Sequence, residues 1–328
     1  TYTLSRIAIA NCMPDDAAAA CPSKAFRTKD GGVKIWMTRN LNWNGGPEIG
    51  AMKLGSRLEP AYSGSATSGG YDPQDPYIER NPAYDEEESG GSVKGDQAVT
   101  DRHGRLYTLD EILLGTPAGG LGRGITSIEW PSAYNVGSTF VDAVGTQITA
   151  RVFKSAEMKA VTDDERFFAE NPALSAQIQG ICPYGWHIAN FRDWYDLAYA
   201  ALEASRGDGT YPVREEMLTI AKLVATNANN VAPWLRTQEG WTSTPARAAG
   251  ADAFDFNLYP TGWRLNKNGY GQYGDTAHSW VPLIGSSAKK TWRLNNVKAT
   301  SNYWFNDNLD AGNPAVGIRC VKNYKVKK

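Results

Sequence analysis

The sequence has no excess of either charge, only three histidines and no long apolar run. Its 328 residues hold 34 Lys and Arg against 35 Asp and Glu, a formal net charge of −1. A nucleic-acid-binding protein would normally show a basic excess or a basic stripe, so this function class is excluded. No apolar run approaches the roughly 20 residues that a membrane-spanning helix needs. Hydrophobic residues still make up 41% of the chain, which is enough for a folded core.

The usual sequence signatures of catalytic sites are also missing. There is no Gly-x-Ser-x-Gly nucleophile elbow, no His-Glu-x-x-His metal motif and no Walker phosphate loop. His187 stands just before a predicted helix, and we expect it to be buried and hydrogen-bonded rather than an acid or base. Carboxylates are plentiful, but none is singled out as half of a hydrolase pair. We therefore predict a non-enzymatic protein without catalytic residues, with a carboxylate-based hydrolase as the remaining enzyme hypothesis.

The four cysteines are Cys12, Cys21, Cys182 and Cys320, and none forms a Cys-x-x-Cys pair. A structural zinc site usually takes four Cys or His ligands in closely spaced pairs, so the spacing favours disulfides. Disulfides indicate an oxidising compartment outside the cytoplasm. Of three pairings we expect Cys12–Cys21 and Cys182–Cys320, with four reduced thiols as the alternative. No signal peptide precedes Thr1, so we expect an export signal to have been removed or to be absent from this sequence.

Hydrophobic periodicity predicts one principal helix between groups of short strands. Apolar residues recur at helical spacing over 191–206, and Asn190 is a suitable N-cap. A second helix and two strands are predicted over 213–225, 33–37 and 315–321. A helix between two groups of strands predicts an α+β fold.

Five short motifs occur in order along the chain. They are WMTRNLN at 36–42, GRLYT at 104–108, GICPYGWHI at 180–188, FNLYPTGWR at 256–264 and GIRCVK at 317–322. Their sequences and their order resemble the Fibrobacter succinogenes major paralogous domain (FISUMP) family. The resemblance extends from the first predicted strand to the last.

The resemblance implies a C-type-lectin-like α+β fold, related to that of formylglycine-generating enzymes, with short strands and long loops. The domain would cover residues 31–328, with insertions over about 44–95 and 116–165. Residues 1–30 would form a separate segment that holds the Cys12–Cys21 loop or ends a preceding domain. The Cys182–Cys320 bridge would then tie the start of the helix to the final strand.

The resemblance also implies a location and a broad role. Family members are mostly exported surface proteins of Bacteroidota, often lipid-anchored, so we expect the outer face of the outer membrane. Membrane contact would be peripheral, through a lipid anchor not present in this chain. The family implies no single activity and no obligatory cofactor.

The C-terminal region combines aromatic and amide side chains, which suits ligand binding. Aromatic rings stack on sugars or on peptide side chains, and amides donate and accept hydrogen bonds at once. The candidate ligand-binding residues are Trp263, Tyr270, Tyr273, Trp280, Trp292, Trp304 and Asn306. The alternative interpretation is that half of the aromatic residues in this region fill the core.

A possible calcium site lies in the same region. The segment 304–310 is similar to the WND calcium segment of C-type lectins, with a Phe inserted after the Trp. Calcium takes six to eight oxygen ligands, which Asn and Asp side chains supply. The candidate metal ligands are Asn306, Asp307, Asn308 and Asp310. A polar hairpin turn is the alternative.

These observations favour a non-enzymatic surface protein that captures a ligand, a glycan in preference to a peptide. It would work beside an outer-membrane nutrient importer, whose subunits would be its partners. The alternative is a structural or adhesive surface subunit, of the accessory-lipoprotein or pilus-tip type, that binds another protein or a peptide.

Overall fold

The chain groups its helices between two sets of antiparallel strands, which confirms the α+β class. The computed structural model describes residues 23–42, 104–107, 112, 135–151, 153–183, 185–205, 219–224, 235–237, 255–265, 270–271, 276–282, 292–298 and 314–325. The strands are β1 (Ser23–Arg27), β2 (Val33–Met37), β3 (Thr139–Val141), β4 (Gln147–Thr149), β5 (Trp186–Ile188), β6 (Trp263–Leu265), β7 (Tyr270–Gly271), β8 (Thr276–Pro282), β9 (Trp292–Lys298), β10 (Pro314–Ala315) and β11 (Cys320–Lys322). The helices are α1 (Ser155–Lys159), α2 (Asp164–Glu170), α3 (Phe191–Ser205) and α4 (Ile220–Leu223), with a 3-10 turn at Pro172–Ser175.

The central sheet has four antiparallel strands in the order β1-β2-β11-β5. Its register pairs Val321 with both Trp36 and His187, so β2 and β5 flank the last strand. Side chains alternate between the faces of a strand, and Lys34 therefore shares the inner face of β2 with Trp36. Smaller units are the β10-β6-β7 sheet and the β3-β4 and β8-β9 hairpins.

Helix α3 packs against this sheet and is buried on almost every side. It begins with a reciprocal cap, because the Asp193 N–H donates to Asn190 Oδ1 and the Asn190 N–H donates to Asp193 Oδ2, each at 2.9 Å. Trp194 meets Trp36 edge-to-face with ring centroids 4.9 Å apart, and both rings also contact Phe256. The predicted helix over 191–206 and its Asn190 cap are thus confirmed.

The other predicted elements differ in part from the structure. The second predicted helix, over 213–225, corresponds to α4, which begins after Thr219. The Thr219 side chain caps it by accepting the Lys222 N–H. Residues 213–218 lie outside the described residues. The predicted strand over 315–321 is two strands, β10 and β11, in different sheets. The chain changes sheets around Gly317, where a Cβ would come within 2.6 Å of the Asn40 side chain.

The predicted insertion over 116–165 contains regular structure in its described part. It includes the β3-β4 hairpin, α1 and the start of α2. Five of its side chains are buried in the core, namely Phe140, Ile148, Ala150, Phe153 and Met158. This part therefore belongs to the folded body. The predicted insertion over 44–95 and the Cys12–Cys21 loop lie outside the described residues.

The predicted Cys182–Cys320 disulfide is present, with Cα atoms 5.9 Å apart and a sequence separation of 138. Cys320 lies in β11 opposite Ile188 of β5, so the bridge ties the turn before β5 to the neighbouring strand. A cross-link over so long a loop restricts the unfolded chain strongly.

We predict that the double variant C182S/C320S loses about 2–5 kcal/mol of unfolding free energy, the usual cost of removing a native disulfide. Urea denaturation of both proteins measures the difference. Reduced wild-type protein should be no more stable than the variant, because reduction also opens the expected Cys12–Cys21 bridge. Equal stability of oxidised and reduced wild type would contradict the prediction.

Gly180 has a positive φ of 51°, and a Cβ there would lie 2.2 Å from the Ile112 carbonyl oxygen. Gly145 also has a positive φ, of 85°, but a Cβ there would meet nothing within 4 Å. An alanine at position 145 would therefore suffer backbone strain alone, whereas an alanine at position 180 would also clash with the backbone of Ile112.

We predict that G145A costs about 1–2 kcal/mol of unfolding free energy, the strain of a left-handed alanine. G180A should cost about 1–3 kcal/mol more, because the methyl group displaces the backbone at Ile112. Thermal and urea denaturation compare the two. Equal losses of unfolding free energy in the two variants would contradict a steric clash between residue 180 and the backbone of Ile112.

Candidate functional site

A buried charge cluster lies between β2 and the first turns of α3. Lys34 Nζ is 2.7 Å from Asp193 Oδ1 and 2.8 Å from Asp196 Oδ2. The three side chains are only 6%, 0% and 4% exposed, respectively. Because Asp193 and Asp196 are three positions apart on a helix, both project toward the same strand.

Asp193 is the centre of this cluster, with each oxygen accepting two hydrogen bonds. Oδ1 accepts from Lys34 Nζ and from the Tyr324 hydroxyl at 2.9 Å. Oδ2 accepts from the Asn190 N–H and from His187 Nε2, both at 2.9 Å. The hydrogen bonds compensate for the loss of hydration that burial imposes on a carboxylate.

His187 is fully buried and uses both ring nitrogens. A carboxylate can only accept, so Nε2 carries the proton shared with Asp193. Nδ1 lies 3.0 Å from Asn323 Oδ1, and the ring meets Tyr324 edge-to-face. The expected buried, hydrogen-bonded role of His187 is confirmed.

The pKa values of Lys34, Asp193 and Tyr324 move away from neutrality. Burial opposes the charge on Lys34, but Asp193, Tyr324 and Asp196 together raise the pKa of its ammonium above the usual value. Burial also opposes the charge on Asp193, but Lys34 and His187 together lower the pKa of its carboxyl. Burial, followed by the charge of Asp193, raises the pKa of the Tyr324 hydroxyl. An acid or base catalyst needs a pKa near the operating pH, and none of these three groups has such a pKa.

A cleft of about 360 Å³ opens beside the cluster. Its walls come from the β1-β2 turn, α2, the 3-10 turn, α3 and the residues after β11. The charged lining residues are Asp30, Lys34, Glu165, Arg192, Asp196 and Lys325. Three are acidic and three are basic, so the formal charges of the lining cancel.

Arg192 links the cleft wall to the buried cluster. Its guanidinium donates to both carboxylate oxygens of Glu165, at 2.9 and 3.3 Å, and its Nε donates to Asp196 Oδ2 at 3.2 Å. It also lies 4.4 Å above the Phe168 ring. A bidentate pair stacked on an aromatic ring has a fixed geometry, so this wall is rigid.

The family profile of the Fibrobacter succinogenes major domain matches residues 31–322. The chain belongs to this family. No curated protein and no solved structure shows a significant match to it. The FISUMP domain includes the disulfide, Lys34 and Asp193, and Tyr324 lies just beyond its matched end.

Two of the predicted ligand-binding residues lie in the interior of the FISUMP domain. Trp263 is 9% and Trp280 4% exposed. Trp280 Nε1 donates to the Tyr107 carbonyl oxygen at 3.1 Å. A stacking platform needs an exposed ring face, so these two indoles contribute to the core and not to a binding surface.

The remaining predicted binding and metal residues have no described side chains. Tyr270 and Trp292 lie on β7 and β9. The others, Tyr273, Trp304, Asn306, Asp307, Asn308 and Asp310, lie outside the described residues. Within the described ranges, no three His, Cys, Asp or Glu side chains are grouped to hold a metal ion. In those same ranges no helix has the length and apolar character to cross a bilayer.

Sequence reasoning missed Lys34, Asp193, Asp196 and Tyr324 as members of one site. One local signal was available for Asp193, because an acidic residue three positions after the Asn190 N-cap is typical of a reciprocal cap. The burial of Lys34 has no such signal, since its partner Asp193 is 159 positions away.

We predict that D193N lowers the unfolding free energy by about 3–5 kcal/mol, because it leaves the buried Lys34 without its main counter-charge. The matched control is D255N, which breaks an ion pair with Lys24 at a position where the Asp side chain is 82% exposed. That control should change stability by about 0–1 kcal/mol. Similar losses in the two variants would contradict a special role for the buried pair.

The lowered pKa of Asp193 also predicts an acid dependence. Its contribution to stability is complete above the unfolded-state pKa of about 4 and is lost as the pH falls through the lower folded-state pKa. Below about pH 4, wild-type unfolding free energy should therefore fall more steeply than that of D193N, by up to about 1.4 kcal/mol per pH unit. Urea denaturation as a function of pH measures both slopes, and parallel slopes would refute the prediction.

Proposed function

We propose that this FISUMP domain is a non-enzymatic cell-surface protein that binds a glycan in the cleft beside Lys34. The observation that supports this proposal is that the formal charges of the cleft lining cancel and that its buried ions are paired with one another. Such a lining offers fixed hydrogen-bonding groups without a strong net field, which suits an uncharged, hydroxyl-rich ligand. The volume of about 360 Å³ lies at the small end of ligand sites, which suits one or two sugar rings.

The displaced pKa values support a binding role over catalysis. Lys34, Asp193 and Tyr324 keep fixed protonation states through the neutral range. They can orient a ligand, but they cannot exchange protons with it efficiently near neutral pH.

The disulfide supports an exported location, because such bonds persist in oxidising compartments. The packing of α3 on a sheet that pairs the last strand with β2 and β5, together with the disulfide at that last strand, supports a C-type-lectin-like interpretation of the fold. Outer-membrane attachment by a lipid anchor and a place beside a nutrient importer rest on the family resemblance alone.

We propose that the candidate residues of the C-terminal region form a second region of contact with the glycan. Tyr270, Tyr273, Trp292, Trp304 and Asn306 would extend the glycan-binding surface. Asn306, Asp307, Asn308 and Asp310 would supply oxygens to calcium.

One observation favours the alternative, a structural or adhesive subunit that binds another protein. Val136 and Val141 are both exposed large apolar side chains, and they lie in and beside the β3-β4 hairpin. Apolar side chains exposed on a hairpin are available for contact with another protein.

Affinity gel electrophoresis of the full chain tests the proposal. We expect slower migration in native gels that contain one or more of xylan, starch, yeast mannan, pectic galactan and mucin, relative to a reference protein of similar size. Parallel gels with calcium or EDTA test the proposed metal residues. Retention by none of these glycans would contradict glycan binding and favour the adhesive alternative.

A further inference from the structure

Lys325 differs from the other charged residues that line the cleft. Four of those residues are bonded to one another, namely Lys34, Glu165, Arg192 and Asp196. The fifth, Asp30, accepts a hydrogen bond from the Gly32 N–H in its own turn at 3.1 Å. Lys325 is exposed, and its ammonium makes no hydrogen bond or ion pair with any residue in the described ranges. A ligand in the cleft can therefore bond this ammonium without breaking a contact of the fold.

We propose that the Lys325 ammonium donates hydrogen bonds to oxygen atoms of an uncharged sugar bound in the cleft, which makes Lys325 a specificity-determining residue. An ammonium group has three N–H donors and no acceptor, so its complement on a sugar is a hydroxyl, ring or glycosidic oxygen. This inference rests on the proposed function and assigns a contact residue to it.

The residue before Lys325 is fixed by contacts with the interior. Gln177 is fully buried, and its Nε2 donates to the Tyr324 carbonyl oxygen at 2.7 Å while its Oε1 accepts the Tyr324 N–H at 3.0 Å. The Tyr324 hydroxyl donates to Asp193 Oδ1 at 2.9 Å. Lys325 thus extends from an immobilised neighbour, which limits the entropy lost when a ligand orders its side chain.

The charge balance of the cleft favours an uncharged ligand. The inner charges form cation–carboxylate pairs, and the charge of Lys325 is matched by that of Asp30, which is exposed in the same lining. A carboxylate on the ligand would give the occupied cleft a net negative charge, which is unfavourable in a confined site. A hydroxyl or ring oxygen accepts from Lys325 and leaves the cleft neutral.

The variant K325M tests this role. Methionine keeps an unbranched side chain but has no N–H donor. Affinity gels that contain a series of concentrations of each retained polysaccharide give the dissociation constant of the full chain. We expect K325M to raise this constant about tenfold, because hydrogen bonds from a charged donor are roughly twice as strong as neutral ones.

The matched control is K322M. Lys322 is an exposed lysine on β11, three positions before Lys325, and it does not line the cleft. K322M makes the same change in net charge, so it should leave the dissociation constant unchanged. Each variant is compared with itself in a gel without polysaccharide, which removes the effect of charge on mobility. Both lysines lie on the surface, so both variants should fold as wild type does.

The outcomes separate this inference from the proposed function. If a glycan is retained but K325M binds it as wild type does, or K322M weakens binding as much as K325M, the role of Lys325 is wrong and glycan binding stands. Retention by acidic mucin alone, weakened by added salt, would overturn the uncharged ligand class. If no glycan is retained, both are overturned. Weaker binding of a neutral polysaccharide such as starch or yeast mannan by K325M, with K322M unchanged, supports both.

Discussion

The pairing of Lys34 with Asp193 and Asp196 is the interaction on which the centre of this domain depends. A lysine on the inner face of a central strand is tolerated only while its charge is compensated, since an unpaired buried ion costs several kcal/mol. The compensation comes from α3, where Asp193 is itself held by hydrogen bonds from His187 of β5 and from Tyr324 beyond β11. The strands β2, β11 and β5 and the start of α3 must therefore assemble together. The disulfide fixes part of the same arrangement covalently.

The features that could be predicted from sequence are those with a local signal. The helix over 191–206 has both helical periodicity and an Asn190 cap, and its structure agrees almost to the residue. An even number of cysteines without metal-type spacing predicts disulfides, and the Cys182–Cys320 bridge that we expected among three possible pairings is present. The burial of His187 follows from its place beside that bridge and ahead of the helix.

The features that could not be predicted depend on contacts between distant segments. Trp263 and Trp280 look like stacking residues in a list of aromatics, and only the packing of β6 and β8 against the core shows that they are buried. The family resemblance implies an insertion where β3 and β4 lie, and strands of three residues are too short for their alternation to indicate regular structure there. The cleft residues Glu165, Arg192 and Asp196 meet through tertiary packing, and their spacing in sequence carries no trace of it.

The pairing of Val321 with Trp36 brings the two ends of the matched domain side by side. Gly32 and Lys325 even line the same cleft. A domain whose ends are neighbours can be spliced into a surface loop of a host protein, or circularly permuted with a short linker, without disturbing its interior. A segment fused after Lys325 would start beside the cleft. The route of such a fusion, or of a membrane tether, would thus decide how freely large polymers approach the cleft.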